Sequence, residues 1–127
     1  MNVTTIGSPK PIIMLVDDDA SNRSLLRRVL EAEFTCVEAE NAEQCFEKLK
    51  DCTPAAFLLD VKMPGVDGFD LCQELRCKPK YLQTPVLFLT AELGASEIVR
   101  GYEVGANDYV TKPLQLRVFR EIVLASI

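Results

Sequence analysis

The sequence predicts an α/β domain in which a five-stranded parallel sheet carries helices on both faces. Three observations support that reading: five short apolar runs, five segments of helical periodicity, and strict alternation between them. The apolar runs are continuous rather than alternating, as in strands covered on both sides.

The first strand is "PIIMLV" at 11–16. In the segment after it, Leu25, Leu26, Val29 and Leu30 recur at helical spacing, with Ser21 as the expected N-cap and Leu25 and Leu26 as expected core. "FTCVEA" reads as the second strand, and Ala42, Cys45, Phe46 and Leu49 follow at i, i+3, i+4, i+7. "AAFLL" at 55–59 is the third strand, with Leu71, Cys72 and Leu75 marking the helix behind it. "PVLFLT" at 85–90 is the fourth, and Ile98, Val99 and Tyr102 begin a helix that Gly105 can end. "DYV" at 108–110 is a brief fifth strand, and Phe119, Ile122 and Val123 face inward from a last helix. Right-handed crossovers leave few topologies. The expected fold is a three-layer, doubly wound (βα)5 domain of flavodoxin-like type with strand order 2-1-3-4-5.

A chain of 127 residues is one domain's worth, read as a mobile lead-in over 1–10 and a folded domain over 11–127. The net charge of −5 argues against a nucleic-acid face, which needs clustered Lys and Arg. No apolar run approaches the ~20 residues of a membrane span, and the N-terminus lacks the layout of a secretory signal. Cys36, Cys45, Cys52, Cys72 and Cys77 are odd in number and form no CxxC pair. They read as reduced core thiols of a cytoplasmic protein, and with no histidine a zinc site is not expected.

In open parallel sheets, ligands bind beyond the carboxyl ends of the strands. Strand one ends in Asp17, Asp18 and Asp19, strand three in Asp60, and strand four in Thr90-Ala91. Strand five runs into Thr111, Lys112 and Pro113. Taken singly, these residues have plain roles as helix caps, turn formers or surface charges. Their placement on adjacent strand ends brings carboxylates, a hydroxyl and an ammonium to one cleft. Crowded carboxylates call for a hard divalent cation, and Mg²⁺ takes one or two carboxylates plus waters and phosphate oxygens. Asp18 and Asp60 are the expected direct ligands, with Asp17 acting through water. The Pro64-Gly65 loop sets the backbone carbonyl of Lys62 as a further ligand. Asp60 is then a candidate nucleophile toward phosphorus, giving an aspartyl phosphate. Mg²⁺, Lys112, and the Thr90 hydroxyl with the Ala91 N–H would each take one phosphoryl oxygen.

"MLVDDD", "LLDVKMPGVDG", "LFLTA" and "GANDYVTKP" stand in order over 11–127, and together they resemble the CheY-like receiver domain of two-component response regulators. The resemblance implies that Asp60 is the phospho-acceptor and that Asp17 and Asp18 form the acidic pocket for Mg²⁺. It implies that Thr90 is the switch hydroxyl, Lys112 the phosphate-binding lysine and Tyr109 the aromatic switch. It also implies a cis peptide bond between Lys112 and Pro113. Phosphorylation would draw Thr90 to the phosphoryl group, turn Tyr109 inward and alter the surface of the fourth helix, fifth strand and fifth helix. A chain without histidine needs a phosphohistidine donor from outside. The resemblance points to a sensor histidine kinase or histidine phosphotransfer protein, docking near the first helix. Downstream lies an output domain or effector protein, and a homodimer through the fourth and fifth helices is a state the resemblance allows. Self-phosphorylation and dephosphorylation are expected, without turnover of an external substrate. Lys62, Glu92 and Leu114 depart from the commonest pattern, and Lys62 and Glu92 bear on phosphoryl lifetime. The apolar ending "IVLASI" suggests a piece of a longer protein.

The main alternative is a haloacid-dehalogenase-like Mg²⁺-dependent phosphatase, with a D-x-D spacing at Asp17 and Asp19. That class needs a late acidic pair and a cap, whereas the late chain offers only Asp108. A flavin-binding module needs a phosphate loop where the acidic trio stands. A pseudo-receiver would not need the complete acceptor, acid pair, threonine and lysine.

Overall fold

A computed structural model describes residues 9–91, 94–113 and 115–127. Most of the expected lead-in, together with Glu92 and Leu114, lies outside the described residues. Five strands, β1 (Ile12–Val16), β2 (Thr35–Ala39), β3 (Ala56–Asp60), β4 (Val86–Thr90) and β5 (Asp108–Thr111), form one parallel sheet in the order 2-1-3-4-5. Helices α1 (Ala20–Leu30), α2 (Ala42–Lys48), α3 (Gly68–Arg76), α4 (Ala95–Glu103) and α5 (Leu116–Ser126) connect and follow them, with a 3₁₀ turn at Pro79–Tyr81. Among the described residues no helix is long and apolar enough to cross a membrane.

Strand residues alternate between two apolar cores. Met14, Val16, Phe57, Leu59 and Phe88 pack with Cys45, Phe69, Cys72 and Leu75 of α2 and α3. Ile13, Leu15, Leu58, Leu87 and Leu89 pack with Leu26 and Leu30 of α1 and Phe119 and Val123 of α5. Each fully buried Leu or Phe contributes about 1.5–3 kcal/mol of transfer free energy, so the two layers clamp the sheet from both sides.

The registers align the carboxyl ends. Val16 stands opposite Leu59, Asp60 opposite Leu89, and Thr90 opposite Thr111. The ladder also runs past the strands, with Val61 N–H donating to Leu89 O at 3.0 Å and Lys112 N–H to Thr90 O at 2.8 Å. These bonds fix Asp60 and Lys112 relative to β4 before any side chain is considered.

Three expectations are corrected. The N-cap of α1 is Asp19, not Ser21: Asp19 Oδ1 accepts from Ser21 N–H at 2.8 Å and Asn22 N–H at 3.4 Å. A carboxylate two residues earlier reaches the free N–H groups and complements the helix dipole. Leu25 is 40% exposed, because α1 turns only Leu26 and Leu30 fully into the core. The thiols are all free, but only Cys45 and Cys72 are buried. Cys36 and Cys52 are half-buried and Cys77 is exposed. Burial pushes the Cys45 thiol up to about 12 and Cys72 to about 11, which makes both inert.

Candidate functional site

β1 ends where Asp17 N–H donates to Ala39 O at 3.1 Å, so Asp17 still lies in the sheet and is 1% exposed. Asp19 N–H donates to Asp17 Oδ1 at 2.9 Å. That bond orients the carboxylate and leaves Oδ2 buried without a hydrogen-bond partner. Asp18 is exposed beside it. Asp60 closes β3 at 7% exposure. Asp17, Asp18 and Asp60 each bring a carboxylate oxygen to within 4.8 Å of the others.

The ammonium of Lys112 enters from the end of β5, 3.5 Å from Asp60 Oδ1 and 3.6 Å from Asp17 Oδ2. Thr90 is buried at the end of β4, and Ala91, exposed, follows it. The Lys112–Pro113 peptide bond is cis.

The loop after Asp60 is set by two glycines. Gly65 has φ +78°, a left-handed conformation that glycine adopts without a Cβ clash. At Gly68 a β-carbon would stand 2.3 Å from the Asp60 carbonyl oxygen, so only glycine lets α3 start so close to β3. Gly68 N–H donates to Val61 O at 2.9 Å and closes the loop. Lys62 N–H, inside that loop, reaches Asp60 Oδ1 at 3.4 Å.

Among the described residues the Lys112 ammonium pairs with Asp17 and Asp60, and Asp18 stands exposed beside them. Burial, followed by the charge of Asp17, pushes the Asp60 carboxyl up to about 6. Lys112 and the Lys62 N–H pull the other way without cancelling it. A buried Asp17 oxygen that accepts no hydrogen bond and three converging hard donors fit Mg²⁺. Asp17, Asp18 and Asp60 would hold it.

Tyr109 lies on β5, half-buried rather than at the acidic cluster. Its hydroxyl donates to Glu97 O at 2.6 Å and Ile98 O at 3.1 Å on α4, and its ring packs 5.6 Å from that of Phe88. Burial raises its phenol above the usual range.

Two side chains escaped the sequence reading. Arg23 donates from Nη1 to the Asp17 carbonyl oxygen at 2.6 Å and from Nε to Glu38 Oε1 at 3.2 Å. Arg100 on α4 pairs with Asp67 at 3.8 Å and Asp70 at 3.1 Å, and lies over the Phe69 ring. Arg23 lies in a helix rich in arginine, and its partner Glu38 lies on the next strand. The only available signal was its position one helical turn after the acidic trio.

The response regulator receiver domain profile matches residues 13–124. The transcriptional regulatory protein ResD of Bacillus subtilis is 40% identical over 113 residues, which are 88% of this chain and 45% of that protein. The chain thus spans about half the length of the curated relatives it matches. A crystal structure of a putative response regulator from Chloroflexus aurantiacus has TM-score 0.85 and 33% identity, covering 93% of this chain and 97% of the other. The chemotaxis protein CheY4 of Vibrio cholerae, at TM-score 0.89 and 24% identity over 93% of this chain and 99% of its own, has the same fold.

Proposed function

The chain belongs to the response regulator receiver domain family of two-component signalling, and from that membership we propose that Asp60 is the residue that accepts the phosphoryl group. The observation that carries the proposal is the Asp60 carboxylate, buried at a strand end beside Asp17 and Asp18, with the Lys112 ammonium 3.5 Å away. The domain over 11–127 is the phospho-accepting unit.

In the transfer, an Asp60 carboxylate oxygen attacks phosphorus. The phosphorus–nitrogen bond to the donor imidazole breaks, and its electron pair stays on the departing nitrogen of a neutral imidazole whose other nitrogen keeps the ring proton. Lys112 offsets the charge on one equatorial oxygen, and the Thr90 hydroxyl with the Ala91 N–H receives another. Asp18, Asp60 and the Lys62 carbonyl would hold Mg²⁺, with Asp17 acting through water, and the ion would supply charge neutralisation for the remaining oxygen. Asp17, fixed by the Asp19 N–H, keeps Lys112 within reach of Asp60.

The donor is a phosphohistidine on a sensor histidine kinase or a histidine phosphotransfer protein, since the chain contains no histidine. The output is a change in the α4–β5–α5 surface, read by an output domain, an effector or a second copy. Val99 and Tyr102 on α4 and Leu116 and Val118 on α5 are exposed there and support this reading. The domain phosphorylates and dephosphorylates its own aspartate without turning over an external substrate, and the free thiols favour a cytoplasmic setting.

Intact-mass analysis after incubation with acetyl phosphate and Mg²⁺ tests the assignment. One added phosphoryl unit is expected in the wild type and none in Asp60→Asn. Labelling that persists in the variant overturns it.

A further inference from the structure

A second depression lies on the opposite edge of the sheet from the acidic cluster. Helices following parallel strands run back toward the strands' amino ends, so the end of α2 meets the 3₁₀ turn after α3 there. Phe46, Leu49 and Tyr81 floor a cavity of about 410 Å³, and Lys50, Lys78 and Lys80 stand around it. Tyr81 is buried and packs edge-on to Phe57 of β3 at 5.5 Å, so the floor is part of the core.

The charge around this cavity runs against the rest of the chain, whose net charge is −5. No acidic side chain lines it. The Lys78 ammonium sits 5.4 Å from the Phe46 ring centre, and that of Lys80 sits 5.7 Å from the Tyr81 ring centre. Lys50 pairs with Glu47 at 3.1 Å in a largely exposed ion pair. Among the described residues Lys78 and Lys80 pair with no carboxylate. Two ammonium groups are therefore held over aromatic faces without counter-charge, at the mouth of an apolar hollow of small-ligand size.

We propose that this cavity docks an acidic peptide segment of a protein partner, presenting an aromatic or branched aliphatic anchor flanked by carboxylates. The anchor fills the hollow over Phe46, Leu49 and Tyr81, and the flanking carboxylates meet Lys78 and Lys80. A nucleic acid fits less well, because only three lysines border the hollow and phosphate binding calls for an extended basic face. Being on the amino edge, the docked segment leaves Asp60 accessible. The proposal does not depend on the phospho-acceptor assignment.

The test is a ¹H–¹⁵N titration of the 127-residue chain with the peptide acetyl-Glu-Asp-Phe-Leu-Asp-Glu-amide. Saturable shifts at Phe46, Leu49 and Tyr81 are expected, with none from the same peptide carrying Lys at every acidic position. Lys78→Glu/Lys80→Glu should weaken binding by about tenfold or more, and Lys78→Gln/Lys80→Gln by less, while acetyl-phosphate labelling stays within about twofold of wild type. Circular dichroism confirms that both variants fold. Absence of saturation at about millimolar peptide, unchanged binding by the charge-reversed variant, or tighter binding of hexathymidylate overturns the proposal.

Discussion

The Tyr109 hydroxyl occupies the space that a side chain at Gly101 would need. A β-carbon at position 101 would stand 1.7 Å from Tyr109 Oη and 2.5 Å from its Cζ. Gly101 is a mid-helix glycine, which normally costs a helix about 1 kcal/mol relative to alanine. Here its absence of a side chain is what lets the tyrosine hydroxyl reach the carbonyls of Glu97 and Ile98.

Gly101→Ala is therefore expected to destabilise the domain by about 1–3 kcal/mol, against the sign of helix propensity. In a Tyr109→Ala background the same substitution should become stabilising, by up to about 1 kcal/mol. Thermal denaturation of the four proteins in the cycle measures the reversal. Additive effects would mean that the ring and the helix do not compete for this space.

Asp60→Asn should raise stability at neutral pH. The folded carboxyl titrates near 6 against an ordinary value of 3.8, so the fold holds this proton more tightly than the unfolded chain does. Stability from this group is then greatest in acid, falls as pH rises through about 4 to 6, and is level above that. Removing the charge should yield about 1–3 kcal/mol at pH 7.5 and nothing below about pH 4, read by urea denaturation. Millimolar Mg²⁺ should raise the wild-type melting temperature and narrow the gap to the variant.

The acidic cluster was legible in the sequence because a parallel sheet aligns strand ends. Asp17, Asp60 and Lys112 then meet whatever the details of packing. What lay beyond reach depends on side-chain geometry between distant segments. Gly101 reads only as a weak helix former until Tyr109, eight residues on, is seen to lie against it. Ser21 and Asp19 are both good caps, and backbone direction after β1 decided between them. Leu25 fits the apolar stripe of α1 as well as Leu26 does, but the helix rotation that buries Leu26 and Leu30 turns it outward.

Lys112→Met should slow labelling by acetyl phosphate by about tenfold or more, a loss of at least ~1.4 kcal/mol of transition-state stabilisation. The same change removes the cation that holds the Asp60 carboxyl down, so that carboxyl should titrate even higher than in the wild type. Carbonyl ¹³C titration of the aspartates reads this directly. A downward move would show that Lys112 is not the neutralising partner of Asp60.

Arg23 is expected to position the cation site without touching it. Its Nη1 holds the Asp17 carbonyl oxygen at 2.6 Å, and its Nε ties that grip to Glu38, where Arg27 also binds at 2.6 Å. Glu38 thus anchors both arginines, but only Arg23 reaches the end of β1. Removing a positive charge near three carboxylates would by itself favour a bound cation. A loss of Mg²⁺ affinity in Arg23→Ala therefore isolates positioning from electrostatics. The expected loss is about tenfold, in the range seen for groups that orient metal ligands. Arg27→Ala, which breaks the other half of the Glu38 link, should stay within about twofold of wild type. Both variants should lose about 1 kcal/mol of stability, so calorimetric Mg²⁺ titration separates what denaturation cannot. Equal affinities in the two variants would show that the Asp17 carbonyl is held in place by the β1–β2 ladder alone.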